Sequence, residues 1–131
     1  MSYTFDSNAR YTDSDEYARL EDDVVVCGIT DYAQHALSDI VYVELPIKGD
    51  TVTKGDAIAV VESVKAAADI TAPISGEIVA VNETLDDTPE LVNEDPFGEA
   101  WIFKISPTNL GELDALMDAE AYEANVAERE D

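Results

Sequence analysis

A mostly β domain is what this sequence predicts: a flattened barrel or sandwich of short strands, with short helices and a C-terminal helix. Three observations carry it. Apolar, β-branched runs of strand length recur at Val24–Ile29, Ile40–Leu45, Ala57–Glu62, Glu77–Val81 and Ala100–Ile105. Turn-forming pairs punctuate them roughly every eight to twelve residues, the spacing of small all-β domains. Helical spacing of apolar residues is confined to a few short stretches and the last part of the chain.

Residues 1–10 are polar and are expected to be flexible, leaving residues 11–131 as one domain. Tyr11 to Glu21 mixes tyrosines with Ser, Asp and Glu and reads as an irregular edge. Val24–Ile29 is apolar on both alternating faces, so it predicts a strand buried on both sides. Thr30 is placed to cap a helix, with Asp31 in its first turn and Tyr32, Ala33, Ala36 and Leu37 at helical spacing. Ser38-Asp39 ends it, and Ile40–Leu45 is a strand stopped by Pro46. Lys48-Gly49-Asp50 and Lys54-Gly55-Asp56 are turns around a very short strand. Ala57–Glu62 leads into a tip at Lys65, and Ala66–Thr71 leads back out. Ser75-Gly76 turns the chain into Glu77–Val81. Thr88-Pro89 opens one helical turn, with proline at its first position. Asn109 and Glu112 make a capping pair for a final helix over residues 109–127, with Leu113, Leu116, Met117 and Ala121 on one stripe.

The chain has 131 residues and is 46% hydrophobic, enough for one modest core and too apolar for a disordered chain. Thirty acidic residues against seven basic ones give a net charge of −23. Nucleic acid and anionic membranes would repel such a surface. Because the acids are scattered rather than gathered in a tail, the charge predicts adaptation to a salty cytoplasm, where screening mutes self-repulsion. The first residues show neither a basic start nor an apolar stretch, and no apolar run has the length of a membrane span, so a cytoplasmic location is expected. The single cysteine, Cys27, excludes an internal disulfide and sits in an apolar run as a small buried residue.

Of the four lysines, Lys65 stands apart. It lies in Glu62-Ser63-Val64-Lys65-Ala66 between two strand-like arms, with glycine turns at Gly49 and Gly76 on either side. An amine at the tip of a rigid, exposed hairpin is a good attachment point for a swinging cofactor. The layout resembles the biotinyl and lipoyl carrier domains. Biotinyl domains usually carry methionine on both sides of the lysine, and here Val64 and Ala66 stand instead. Lipoyl domains of the 2-oxo acid dehydrogenase complexes usually show Asp-Lys-Ala. The five residues around Lys65 look like the H-protein family of the glycine cleavage system. Further matches follow in order: Gly28 to Gln34, Tyr42 to Pro46, Val52 to Gly55, Ala72 to Ile78, Val81-Asn82, Pro89 to Asn93 and Trp101 to Ile105. The resemblance covers nearly the whole domain, residues 11–125.

That resemblance implies a non-catalytic shuttle. Lipoate would be joined by an amide to Lys65, with Glu62, Ser63, Val64 and Ala66 as its recognition setting. The arm would accept an aminomethyl group at the pyridoxal-phosphate glycine decarboxylase. It would pass the one-carbon unit to tetrahydrofolate at the aminomethyltransferase and be reoxidised by the flavin-containing dihydrolipoamide dehydrogenase. A lipoate-attaching enzyme would be a fourth partner. Family members shelter the loaded arm in a surface cleft, and Ser14, Glu16 and Asp69 fall at the corresponding positions. Relatives commonly show Ser-His-Glu-Trp where this chain has Ser14-Asp15-Glu16-Tyr17, so Asp15 and Tyr17 depart from the pattern. Carboxylates suit a terminal amine, since each can accept a charge-assisted hydrogen bond from it.

The remaining residues suggest no independent enzyme. Lys48, Lys54 and Lys104 read as solvated charges, His35 as an exposed helix residue and Trp101 as core. There is no nucleophile–base pair, phosphate-binding glycine loop or metal-ligand spacing. Two other readings stay open at this point: an H-like protein that relays lipoyl groups to other carriers, and an acidic protein that binds a basic partner.

Overall fold

The computed structural model describes residues 3–130. Residues 1 and 2 of the expected flexible segment, and residue 131 of the expected domain, lie outside them. Among the described residues the strands are β1 (Arg10–Tyr11), β2 (Glu16–Glu21), β3 (Val24–Ile29), β4 (Ile40–Glu44), β5 (Thr51–Val52), β6 (Ala57–Ser63), β7 (Ala67–Thr71), β8 (Gly76–Val81) and β9 (Phe103–Pro107). The helices are α1 (Asp31–Leu37), α2 (Thr84–Asp87), α3 (Leu91–Glu94), α4 (Gly111–Asp114) and α5 (Ala119–Glu130).

The strands make a six-stranded sheet, β1-β2-β3-β9-β8-β5, and a three-stranded sheet, β4-β6-β7. Every pairing is antiparallel. Val25, Cys27, Ile78 and Ile105 of the larger sheet share one apolar cluster with Val43, Val61 and Ile70 of the smaller. The fold is therefore mostly β as expected, with the core between two sheets. The barrel alternative is corrected: neither sheet closes, because β1 and β5 end one and β4 and β7 end the other.

Local signals held where the cause was local. The Thr30 hydroxyl accepts from the Ala33 amide at 3.1 Å and caps α1. Gly49 and Gly55 both sit at positive φ, +100° and +94°, in the two predicted turns. Cys27 is fully buried.

Five further expectations are corrected. Tyr11 to Glu21 is the end of β1, a turn over residues 12–15 and the whole of β2 rather than an irregular edge, and β2 pairs with β3 from Glu16↔Ile29 to Glu21↔Val24. Its first three residues, Glu16, Tyr17 and Ala18, are all buried, so no alternation marks it. The strand expected at Ala100–Ile105 begins at Phe103, and Trp101 is only half-buried, with the Lys104 ammonium 4.7 Å from its ring centroid. The single helix expected over 109–127 is two, broken at Met117, whose backbone exchanges hydrogen bonds with Tyr11 at 2.8 and 3.0 Å. Asp118 then starts α5 by accepting the Ala121 amide at 2.8 Å. Glu112 does not reach back to Asn109; its carboxylate binds the amide and hydroxyl of Ser75. Finally, the segment expected to be loose is packed from Tyr3 onward: Tyr3, Phe5 and Ala9 join Tyr11, Tyr17, Tyr122 and Val126 in a second cluster.

Tyr11 and Tyr122 stack at 4.5 Å in this cluster. Each buried phenol is satisfied: Tyr11 donates to the Asp6 carbonyl, Tyr17 to the Pro96 carbonyl and Tyr122 to Asp15. Burial pushes the Tyr11 phenol up to about 12, and pushes those of Tyr17 and Tyr122 up as well. The folded state thus holds these protons more tightly than the unfolded chain, whose phenols titrate near 10. Their contribution is complete below that pH and drains away as pH rises through 12. The slope is up to about 1.4 kcal/mol per pH unit for each tyrosine. The urea midpoint should accordingly fall steeply between about pH 9 and about pH 11.5; an unchanged midpoint would remove the linkage.

Candidate functional site

Strands β6 and β7 form a hairpin registered from Ala57↔Thr71 to Glu62↔Ala67. Its tip is closed by Ser63. The Ser63 amide donates to the Ala66 carbonyl at 2.7 Å, and the Ser63 hydroxyl oxygen accepts from the amides of Lys65 and Ala66 at 3.2 and 3.1 Å. The backbone of the turn is thus satisfied by its own serine, as in other side-chain-mimicked turns. None of residues 63–66 sits at positive φ, so the tip needs no glycine.

A second tie holds the tip from outside. The Val64 amide donates to the Asp39 carbonyl at 3.0 Å, where the chain leaves α1. That junction is fastened by Asn93 on α3, which accepts from the Ile40 amide at 2.8 Å and donates to the Ser38 carbonyl at 2.9 Å. Glu62, Val64, Lys65 and Ala66 are all exposed, with Val64 66% exposed. Among the described residues, the Lys65 side chain has no ion pair or hydrogen bond to hold it down.

Along the hairpin below the tip runs a cleft of about 190 Å³. Ser14, Asp15 and Glu16 form one wall, Ala33 and Leu37 of α1 another, and Val61, Ala68 and Asp69 the hairpin side. The three residues expected to shelter an arm, Ser14, Glu16 and Asp69, therefore come together. Their situations differ. Glu16 is 1% exposed, and its Oε1 takes hydrogen bonds from the hydroxyls of Thr12, Ser14 and Thr71 at 2.5, 2.7 and 3.1 Å. Its Oε2 takes the Thr71 amide, at 3.1 Å. Asp69 is exposed, and among the described residues its carboxylate has no hydrogen-bond partner or cation. Ser14 is turned toward Glu16.

Sequence reasoning missed Thr71, which joins Glu16 on β2 to β7, and the engagement of Asp15. The Asp15 carboxylate is gripped by both terminal nitrogens of Arg129, at 2.6 and 3.1 Å, and by the Tyr122 hydroxyl at 2.9 Å. The only sequence hint is a lone arginine in the acidic run Glu128-Arg129-Glu130.

The sequence profile described as glycine cleavage H-protein matches residues 9–129. The chain belongs to the glycine cleavage H-protein family. One relative in that family, a glycine cleavage system H protein from Thermus thermophilus, is 61% identical over 113 residues, covering 86% of this chain and 88% of its own. Another, from a Psychrobacter species, is 55% identical over 121 residues, covering 92% and 96%. The crystal structure of the H protein from Mycobacterium marinum superposes with a TM-score of 0.86 at 36% identity, covering 93% of this chain and 98% of that one. The two-sheet architecture is thus that of the H-protein family.

Proposed function

We propose that this protein is the lipoyl-bearing carrier subunit of a glycine cleavage system, with lipoate attached to Lys65. The observation that carries the reading is the exposed, unpaired amine on a self-closed hairpin, in a chain of this family. The residues present fit the group. Among the described residues none pairs with the Lys65 amine, Val64 and Ala66 leave room beside it, and the cleft lies on the same hairpin. When attached, lipoate supplies a dithiolane that carries an aminomethyl unit from glycine decarboxylase to aminomethyltransferase and is reoxidised by dihydrolipoamide dehydrogenase.

The protein's own residues present and shelter. Amide formation removes the Lys65 charge, leaving an apolar tether whose effective concentration in a partner's cleft is raised by its attachment. Ser63 and the Val64–Asp39 tie keep the base of the arm stiff. Glu62, Ser63, Val64 and Ala66 form the surface that a lipoate-attaching enzyme reads. In the cleft, Asp69 offers a free carboxylate to a terminal amine, and Ser14 is oriented by Glu16. No residue of the chain is assigned a catalytic step; the chemistry belongs to the cofactor and the partner enzymes. The decisive measurement is intact mass of protein from its native host. We expect one lipoyl group, mapped to Lys65 by peptide fragmentation, and protein that stays unmodified would overturn the reading.

We further propose a cytoplasmic location in a high-salt cell, which rests on composition alone and draws no support from the relatives. Among the described residues no helix is long and apolar enough to cross a membrane. Arg19 pairs with Asp6 and Glu21, and Arg129 with Asp15; the other acids have no such pair among the described residues. Screening over a few ångströms at molar salt would relieve their repulsion. Stability to urea should therefore keep rising as potassium chloride goes from about 0.1 M to about 2 M. A flat response would remove the high-salt proposal.

A further inference from the structure

The cleft wall carries a charge that its surroundings cancel. Asp15 sits at positive φ, +71°, a conformation that Asp tolerates better than most residues, at the turn between β1 and β2. Its backbone is fixed on both sides: its amide donates to the Thr12 carbonyl at 3.3 Å, and its carbonyl accepts from the Thr30 amide at 3.0 Å. Asp15 is one of the residues lining the cleft, and its carboxylate takes a two-pronged grip from Arg129, in the last turn of α5, and the Tyr122 hydroxyl from the first. Arg129 is itself seated, its guanidinium 4.8 Å from the Tyr32 ring centroid on α1. Two side chains of α5 thus converge on one carboxylate, and α1 seats one of them.

We propose that Arg129 is a positioning residue that sets the charge of the cleft: by cancelling Asp15 it leaves Asp69, among the described residues lining the cleft, as the free carboxylate facing an incoming arm. Glu16 is buried and already accepts four hydrogen bonds, so its charge is largely answered from within. A cleft with two free carboxylates would hold a cationic arm end too firmly for a carrier that must give it up. With one, the cleft can shelter the arm and still release it. This rests on the reading that the cleft receives a cationic arm end, but the role of Arg129 can be tested without lipoate.

The test uses unmodified, ¹⁵N-labelled protein titrated with two probes that mimic the arm end: the ammonium of S-methylcysteamine and its neutral N-acetyl derivative. Amide shifts of Ser14, Glu16, Asp69 and Thr71 report binding. Arg129→Gln is expected to raise affinity for the charged probe about three- to tenfold at low salt, with the neutral probe unchanged. Asp15→Asn/Arg129→Gln should return the charged probe to the wild-type value, since no uncancelled charge remains. A merely structural role would move both probes together. Equal shifts for both probes, no gain for the charged one, or no preference for the charged probe in any of the proteins would overturn the proposal. Failure of lipoate to attach at Lys65 would show in intact mass and leave these titrations standing.

Discussion

Lys65→Arg is expected to abolish glycine–bicarbonate exchange by a reconstituted system while leaving the fold untouched. Attachment needs a neutral amine to form an amide. A guanidinium stays protonated at any accessible pH and spreads its lone pairs over the whole group. The variant should therefore show no lipoyl mass, and exchange should fall to the rate without carrier. Stability should change by no more than about 0.5 kcal/mol, because the Lys65 side chain is exposed and the turn is closed by Ser63. Exchange retained by Lys65→Arg would refute the assignment of the attachment site.

Glu16→Ala should cost about 3 kcal/mol of stability, read as a lower urea midpoint with little change in slope. The carboxylate gathers donors from Thr12 and Ser14 on one side and Thr71 on the other, and so ties the two sheets beside the cleft. Removing it leaves the Thr71 amide and three hydroxyls without their acceptor, and a buried group without a partner loses most of its hydration energy. Glu16→Gln keeps an acceptor oxygen but loses the charge, and should fall between the two. If Glu16→Ala were as stable as the parent protein, the carboxylate would be a passive lining of the cleft.

What could be read in advance divides by distance along the chain. The Thr30 cap, the turns at Gly49 and Gly55 and the Lys65 hairpin are each specified by residues within a few positions, and each stands where the sequence put it. Within the site, Ser14, Glu16 and Asp69 were named through resemblance and do meet in one cleft. Their unequal duties could not be read, because they depend on Thr71 and on the depth of burial. The same is true of the break at Met117. Its helical stripe is real in the sequence, but Tyr11 captures the backbone from the other end of the chain. Trp101 was misplaced for a related reason: its apolar strand begins two residues later, where Phe103 finds Cys27.

The Asp15–Arg129 grip spans 114 residues, whereas the Ser63 turn spans three. On a growing polypeptide, the tip can assume its final shape as soon as β6 and β7 have cleared the ribosome exit. The Asp15 carboxylate beside the cleft stays unpaired until the last turn of α5 emerges and folds back, since such long-range contacts close last. If Lys65 takes lipoate as proposed, it is presented for attachment before the charge beside the cleft is set.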